Sequence, residues 1–272
     1  MFNVNARGCN DATAFMAACY AGNFGTVKVI LDHSIEKEVS LNYHQEPTGL
    51  NALMWACHQG HKDIVKLILE HPNRKYVFLY TTIYSNSNWN SDEFRQFGDT
   101  TIMTAIMLAV RQGHKDIVAL ILEFQSVAEN NLHLYCKSSD GMTALMLACD
   151  LGHTDIVKLF LTYWEKERDW NHWNIQRGSK FKMNFNVRDT RNKMTALMYA
   201  SKNGHKEIVQ LFLDYSKKYW EFRRSLNIIV KDNDGHCAGT LAYINGHKDI
   251  VKLLLKFPRD IKNVSDPIKA LA

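Results

Sequence analysis

The chain has 272 residues, of which 46% are hydrophobic and 22% are charged, and its formal net charge is +5. No apolar run approaches the roughly 18 residues that a membrane-spanning helix needs, and the N-terminus lacks the basic start and apolar stretch of a secretory signal. We therefore expect a protein without a membrane-spanning segment, in an intracellular location.

Six helix-like stretches end at a glycine, and five of these glycines open a near-identical run. The six junction glycines are Gly22, Gly60, Gly113, Gly152, Gly204 and Gly246. From the second onward, each is followed by His, by Lys or Thr, by Asp or Glu, and then by Ile and Val. A unit repeated in this way predicts a stacked array, which favours surface recognition over catalysis.

Each unit reads as a turn, a short first helix and a second helix. Repeat four shows this best, because Thr143 can cap the first helix, Gly152 can end it in the left-handed conformation, and Asp155 falls in the first turn of the second helix. We predict one domain over residues 1–257, with six repeats at about 5–36, 46–75, 99–127, 138–166, 189–224 and 232–257, and a C-terminal tail at 258–272. Repeats one and six depart furthest from the pattern and are predicted to cap the array.

The units resemble the ankyrin repeat, whose consensus carries Thr-Pro-Leu-His-x-Ala and a Gly-His-x-x-Ile-Val junction. Repeats four and five have Thr-Ala-Leu-Met at 143–146 and 195–198, with a methionine that we expect to fill space in place of the family histidine. The resemblance implies an all-α solenoid of about six helix-turn-helix repeats with long insertions between them. The composition and the Thr-Ala-Leu-Met variant are also similar to ankyrin repeats of large DNA viruses and intracellular bacteria, which suggests a host-directed effector.

The distances between junction glycines are 38, 53, 39, 52 and 42 residues, against a family period of about 33. After repeat two, residues 76–84 are aromatic and β-branched, which predicts a strand. Repeat four is expected to extend its second helix through Trp164, and repeat five to extend its own to about Arg224. Residues 162–188 and 216–231 carry net charges of +3 and +4, and they hold four of the six tryptophans.

The resemblance implies that partner proteins bind the concave face, which the turns and the ends of the first helices form. The partner is predicted to be another protein, and the chain itself to be a monomer. Carried over to this chain, the partner-binding residues are His58, Gln59, Thr101, Met103, Arg111, Gln112, Asp140, Met142, Asp150, Leu151, Arg191, Met194, Lys202, Asn203 and His236. Most binding energy comes from a few residues of an interface, so any one of these can equally be a solvated side chain.

A second hypothesis is that the basic, aromatic insertions 162–188 and 216–231 bind an anion or a nucleic acid. The candidate residues are Lys180, Lys182, Lys217, Lys218, Arg223 and Arg224. The competing interpretation, which we favour, is that the aromatic rings pack against the extended helices and the basic side chains solvate them.

No pattern in the chain indicates an enzyme or a cofactor. There is no phosphate-binding glycine loop or nucleophile elbow, and the recurrent Gly-His histidines are better explained as junction residues that bond to neighbouring backbone. His58, His61 and His71 lack a carboxylate or cysteine at ligand spacing, so no metal site is expected. Cys19, Cys57 and Cys149 occupy one equivalent position and are predicted to be small buried side chains.

Overall fold

The computed structural model describes residues 5–8, 11–33, 43–45, 48–71, 80–83, 101–127, 136–173 and 184–257. The tail at 258–272 lies outside the described residues. In the part described, the first and second helices alternate along the chain, as the resemblance predicts. The helices are α1 Ala14–Ala21, α2 Phe24–Asp32, α3 Ala52–Gln59, α4 Lys62–Glu70, α5 Ala105–Arg111, α6 Lys115–Val127, α7 Ala144–Asp150, α8 Thr154–Trp173, α9 Ala196–Lys202, α10 Lys206–Lys218, α11 Trp220–Ser225, α12 Ala238–Ile244 and α13 Lys248–Leu255.

Two short strands accompany the helices. β1 Tyr80–Ile83 pairs antiparallel with β2 Thr101–Thr104, and Tyr80 lies opposite Thr104. The strand predicted within residues 76–84 is therefore present at 80–83, and its pairing partner leads directly into α5. No helix of the described residues combines the length and the apolar character that crossing a membrane requires.

The chain divides into two compact units, Met1–Ser139 and Asp140–Ala272. In the first unit, the first helices α1, α3 and α5 pack in sequence, and so do the second helices α2, α4 and α6. In the second unit, α7, α9 and α12 form one such row, and α8, α10 and α13 form the other. Each unit is thus a stack of helix pairs in which a repeat packs against its neighbours in the chain.

Five of the six first helices begin at side-chain caps, whereas the Cys237 side chain forms no such bond at the start of α12. Thr143 and Thr195 each accept a hydrogen bond from the backbone N–H three residues later, as do the N-caps of α1, α3 and α5. In return, the Sδ atoms of Met146 and Met198 accept from the backbone N–H of those threonines, at 3.4 and 3.3 Å. These methionines therefore complete a capping box, a role beyond the space-filling that the sequence predicts.

The first helices end as predicted. All six junction glycines adopt a left-handed backbone conformation, with φ between 72 and 86°, which a residue with a Cβ atom adopts only with strain. Cys19, Cys57 and Cys149 are buried just before these ends, as predicted, and burial raises the pKa of each thiol.

The second helices of repeats four and five are extended, but in different ways. α8 continues past Trp164 to Trp173, further than predicted. The single helix predicted to run to about Arg224 is wrong, because α10 ends at Lys218 and α11 starts at Trp220. Tyr219 between them has extended backbone angles, φ −126° and ψ 117°, and its ring contacts that of Trp164 at 5.5 Å.

Candidate functional site

Four of the five junction histidines join their repeat to the one before it, as predicted. In these four, Nε2 of the histidine bonds to a backbone carbonyl in the preceding repeat. That carbonyl belongs to the residue two positions before the junction glycine of the preceding repeat. The pairs are His61 with Tyr20 at 3.0 Å, His114 with His58 at 3.1 Å, His205 with Asp150 at 3.1 Å and His247 with Lys202 at 3.0 Å. The fifth histidine differs, since Nε2 of His153 is buried without a hydrogen-bond partner among the described residues.

The glycines also leave room for these imidazole rings. A Cβ atom added at Gly204 would lie 2.5 Å from Cε1 of His247, and one added at Gly22 would lie 2.5 Å from Cε1 of His61. At Gly246, by contrast, an added Cβ would meet nothing within 4 Å. The junction therefore selects glycine for two separate reasons, backbone conformation and space for the next repeat.

These contacts fix the residues that precede four of the six junction glycines, Gly22, Gly60, Gly152 and Gly204. We call the residues that precede the six junction glycines, together with the turns before the first helices, the first-helix face. Because a histidine holds the backbone carbonyl of Tyr20, His58, Asp150 and Lys202, the side chains of this face start from fixed backbone positions. Such preorganisation lowers the entropy cost of binding a partner.

Exposed apolar side chains concentrate on the first-helix face. Seven large hydrophobic residues are exposed in the described part of the chain, and four of them lie one to three residues before a junction glycine. These four are Tyr20, Leu151, Tyr243 and Ile244, with exposed fractions of 41%, 43%, 47% and 58%. The other three, Phe24, Val29 and Trp220, lie on second helices or their extension.

The polar residues of this face contact one another within each unit. Gln112 Nε2 lies 3.2 Å from Nδ1 of His58. Asn203 Nδ2 donates to both the backbone carbonyl and the carboxylate of Asp150, each at 2.8 Å. Gln59 and Arg111 are half-buried, and burial lowers the pKa of Arg111, whereas Lys202 is exposed.

The turns correct part of the predicted partner-binding set. Met103 and Met194 are only 1% and 2% exposed, because each side chain points into the core just before a first helix, so neither is available to a partner. His58 is also largely buried. Four other predicted turn residues are exposed or half-buried, namely Asp140, Met142, Arg191 and His236. The side chain of Thr101 lies outside the described part.

Hydrogen bonds tie the turns of repeats four, five and six together. The buried carboxylate of Asp189 accepts from the backbone N–H of Met194 at 2.5 Å and from the hydroxyl of Tyr199 at 2.9 Å. Burial and this bond raise the pKa of Tyr199. The Thr190 N–H donates to the Asp140 carbonyl at 2.8 Å, and Arg191 pairs with the Asp140 carboxylate at 2.7 Å.

Three basic residues of these turns were not named among the predicted site residues: Arg188, Lys193 and Lys231. Arg188 and Lys231 are, however, the last residues of the two insertions predicted as an alternative anion-binding region. Lys193 has φ 59°, in the place that Gly49, Gly141 and Gly235 take in other repeats, two residues before the N-cap. The lysine in this glycine column is visible in the sequence and could have singled the turn out. The hydrogen bonds that gather the three residues could not have been read from it.

The insertions of repeats four and five form an aromatic core of their own. Trp164 is buried, with its ring 5.9 Å from Phe185, 5.5 Å from Tyr219 and 5.3 Å from Phe222. We call these four residues the insertion cluster. This packing agrees with the interpretation that we favoured from the sequence, in which the aromatic rings of the insertions are buried rather than part of an anion site.

Three described basic residues around the insertion cluster, Arg168, Lys217 and Lys218, have acidic partners. Lys218 pairs with Glu165 at 2.9 Å, and Lys217 pairs with Asp214 at 3.2 Å. The Tyr219 hydroxyl and then Lys218 hold the pKa of Glu165 below its usual range. Arg223 is half-buried, whereas Lys180 and Lys182 and the side chain of Arg224 lie outside the described part. These contacts favour ion pairing over an open anion site.

One group of possible metal ligands occurs in the described residues. Asp232, Asp234 and His236 bring their ligand atoms within 4.8 Å of one another in the turn of repeat six. Oδ1 of Asp232 accepts from the backbone N–H of Asp234 at 3.0 Å and from that of His236 at 2.7 Å. These bonds are those of a turn-forming carboxylate, and they account for the arrangement.

Comparison with known proteins agrees with this architecture. The family model described as "Ankyrin repeats (3 copies)" matches residues 1–78, 79–174 and 172–265. The crystal structure of the ankyrin repeat domain of Bcl-3, described as a unique member of the IkappaB protein family, is similar in fold, with a TM-score of 0.65 and 18% sequence identity. The match covers 92% of this chain and 88% of that one. No curated protein sequence matches the chain significantly.

The repeat pattern, the stacked helix pairs, the left-handed glycines with their histidine contacts, and the family match over nearly the whole chain lead to one conclusion. The chain belongs to the ankyrin-repeat family.

Proposed function

We propose that the protein is a non-enzymatic scaffold that binds a partner protein through its first-helix face. The observation that carries this proposal is the concentration of exposed hydrophobic side chains there, since Tyr20, Leu151, Tyr243 and Ile244 make up four of the seven exposed large hydrophobics described. The histidine contacts to the backbone carbonyl of Tyr20 and to that of Asp150, next to Leu151, support it, because a rigid surface binds at a lower entropy cost. Ankyrin repeats generally bind other proteins, which agrees with this function.

The second unit offers the more detailed surface. Leu151 and Ile244 are exposed apolar side chains from repeats four and six, and exposed Lys202 comes from repeat five, which packs between them. Apolar anchors of this kind supply most of the energy of a protein interface, with polar neighbours supplying selectivity. If the chain comes from a virus or an intracellular bacterium, as its variant repeats suggest, the partner is a host protein.

A library of random displayed peptides, selected on the immobilised full chain, provides a ligand with which to test the face. We expect Leu151→Ser combined with Ile244→Ser to lower the affinity for the selected peptides by about tenfold or more. Fluorescence anisotropy with each purified variant measures this loss. Circular dichroism of the same samples establishes that the variants remain folded.

The matched control is Val29→Ser, which removes an equally apolar side chain, 59% exposed, from a second helix. It should leave peptide affinity unchanged. Equal losses from the control and the double variant would contradict the first-helix face. Failure to select any peptide, or selection of peptides that are insensitive to both changes, would count against the proposed function as a whole.

A further inference from the structure

The turn of repeat five places a lysine in a conformation that favours glycine. Lys193 has φ 59°, whereas the equivalent residues of repeats two, four and six are Gly49, Gly141 and Gly235, with φ between 70 and 81°. Repeat one also has a side chain in this place, Asp11 with φ 57°, which pairs with Arg7 at 2.8 Å. A side chain in this region strains the backbone, and such strain persists in proteins where the residue serves another purpose. Glycine would relieve this strain, so the presence of lysine indicates that its exposed side chain serves another purpose.

Two further cations lie next to Lys193. The Arg188 side chain donates from Nε to the Lys193 carbonyl at 2.9 Å and from Nη2 to the Lys231 carbonyl at 2.6 Å. One guanidinium thus joins the turns of repeats five and six and brings three basic residues together. All three are exposed, and none forms an ion pair with a carboxylate among the described residues.

The carboxylates of the same turns are arranged differently. Asp189 is buried and its oxygens accept from Met194 N–H and the Tyr199 hydroxyl. The Asp232 side chain is 6% exposed and accepts from backbone N–H groups. Asp140 is engaged by Arg191, so Asp234 is the exposed carboxylate that remains. The formal charges balance, but Asp189 and Asp232 lie inward and Asp140 is paired, whereas the three basic residues are exposed. Exposed positive charge therefore exceeds exposed negative charge on these turns.

We propose that Arg188, Lys193 and Lys231 form a docking site for an acidic segment of the partner protein. The site rests on the proposed function and adds to it the chemistry of one part of the partner. Charge complementarity at such a rim selects the partner and speeds association. A protein segment fits better than a nucleic acid, since residues 186–195 and 229–237 contain no Phe, Tyr or Trp on which bases could stack.

The test uses the full chain and a fluorescein-labelled oligoglutamate peptide, measured by fluorescence anisotropy at low ionic strength. Lys193→Gly is the informative variant, because it removes the charge and also relieves the backbone strain. It should lower the affinity for the peptide by about threefold, as expected for one exposed charge. It should also raise the midpoint of urea denaturation. Lys193→Glu combined with Lys231→Glu should weaken binding by about tenfold or more.

Lys248→Glu combined with Lys252→Glu is the control, since it makes the same charge change as the double turn variant on two exposed residues of α13. It should leave peptide affinity within about twofold of the wild type. Losses equal to those of the turn variants would overturn the proposal, as would wild-type protein that fails to bind the peptide. Tighter binding of a single-stranded oligonucleotide, lost in the same variants, would also overturn it.

The library-selected peptides separate this proposal from the broader one. If they lose affinity with the Leu151 and Ile244 changes but keep it with the turn variants, the docking site fails and the proposed function stands. If they are insensitive to both sets of changes, the proposed function fails.

Discussion

At the scale of single residues, the junction glycine and the histidine of the next repeat form one device. The glycine adopts the left-handed conformation that ends the first helix, and its missing side chain leaves space for the imidazole ring. The histidine then bonds to a carbonyl in the repeat before it. One pair of residues therefore ends a helix, joins two repeats and fixes the backbone beneath the first-helix face.

Two glycines of the second unit separate the backbone and space requirements. Gly204 and Gly246 have nearly equal φ, 79 and 81°, but only Gly204 lies against a histidine ring. We expect Gly246→Ala to cost about 1 kcal/mol, from the backbone alone. Gly204→Ala should cost about 1–3 kcal/mol more, because the added methyl group overpacks the junction. Urea denaturation measures both variants, and equal losses would show that His247 moves aside freely.

Ser201 is a residue whose replacement should stabilise the protein. It is fully buried in α9, and its hydroxyl has no hydrogen-bond partner among the described residues. Cys149 is the equivalent residue of repeat four. Ser201→Cys should therefore raise the free energy of unfolding by about 1 kcal/mol, because an unsatisfied buried hydroxyl is removed.

Ser216 provides the matched comparison, since it is equally buried but its hydroxyl donates to the Leu213 carbonyl at 2.5 Å. Ser216→Ala should lower the free energy of unfolding by about 1 kcal/mol. Thermal denaturation of the two variants shows whether each change raises or lowers the stability. A loss of stability in Ser201→Cys would mean that the hydroxyl is satisfied in solution.

At the scale of helices, the insertions of repeats four and five extend the core. The sequence gives α8 and the repeat-five helix aromatic residues beyond the length that a repeat needs. The structure uses these residues in the insertion cluster, and it breaks the repeat-five helix at Tyr219 so that this ring reaches Trp164. The break cannot be predicted from periodicity, because it depends on a contact with another helix.

Two tryptophans test how far the insertion cluster contributes to folding. Trp164 is 7% exposed and contacts three aromatic rings, whereas Trp220 is 67% exposed. Trp164→Ala should cost about 3–5 kcal/mol of unfolding free energy, as for other large buried side chains. Trp220→Ala should change it by less than about 0.5 kcal/mol. Chemical denaturation measures both changes. A small loss of unfolding free energy in both variants would show that the insertion cluster contributes little to the stability of the fold.

The second helices carry a ladder of ion pairs between neighbouring repeats. Lys206 pairs with Asp249 at 3.1 Å and lowers its pKa, and Lys62 pairs with Asp116 at 3.8 Å. The Lys206–Asp249 contribution to stability is therefore present above the ordinary carboxyl pKa and is lost as the pH falls through the lowered value.

Repeat four interrupts this ladder, because Thr154 stands where repeats two, three, five and six have lysine. Glu207 occupies the acidic position of repeat five. Thr154→Lys should restore a pair with Glu207 and add about 0.5 kcal/mol of stability at neutral pH and low salt. The gain should vanish at high salt, where exposed charges are screened. Thr154→Met is the control for the change of side-chain size, and an equal gain from it would rule out the ion pair.

At the scale of the whole molecule, the division into two units has a consequence for unfolding. Stability in repeat arrays is carried by contacts between neighbouring repeats, so a local defect spreads only as far as those contacts. Phe212 is fully buried in the second unit, between Phe185 and Phe222. Phe212→Ala should cost about 3–5 kcal/mol.

Hydrogen exchange reports where this loss is felt. Amide exchange should become faster in residues 144–168 and 184–257 and stay unchanged in residues 14–32 and 52–70. Exchange that accelerates equally in both regions would show that the two units unfold together. Leu31→Ala, a buried change in the first unit, should give the reverse pattern.

Much of the candidate surface could be predicted from the sequence. The residues before each junction glycine vary while their flanks repeat, which correctly indicates Leu151 and Lys202 as exposed. The prediction was wrong for the side chains of Met103 and Met194, since burial depends on which way the turn points them. It also missed Lys193, whose significance lies in a positive φ that the residue type itself does not suggest.

By itself, the sequence determined the ankyrin family, the order of the helices, their caps and their glycine ends, because these follow from local propensity and a repeated spacing. Only the tertiary structure decided the helix break at Tyr219, the burial of the turn methionines and the gathering of Arg188, Lys193 and Lys231. Each of these depends on contacts between residues far apart in the chain or on the direction of a turn. The physical reason is that local pattern sets which elements form, whereas packing between them sets which side chains reach the surface.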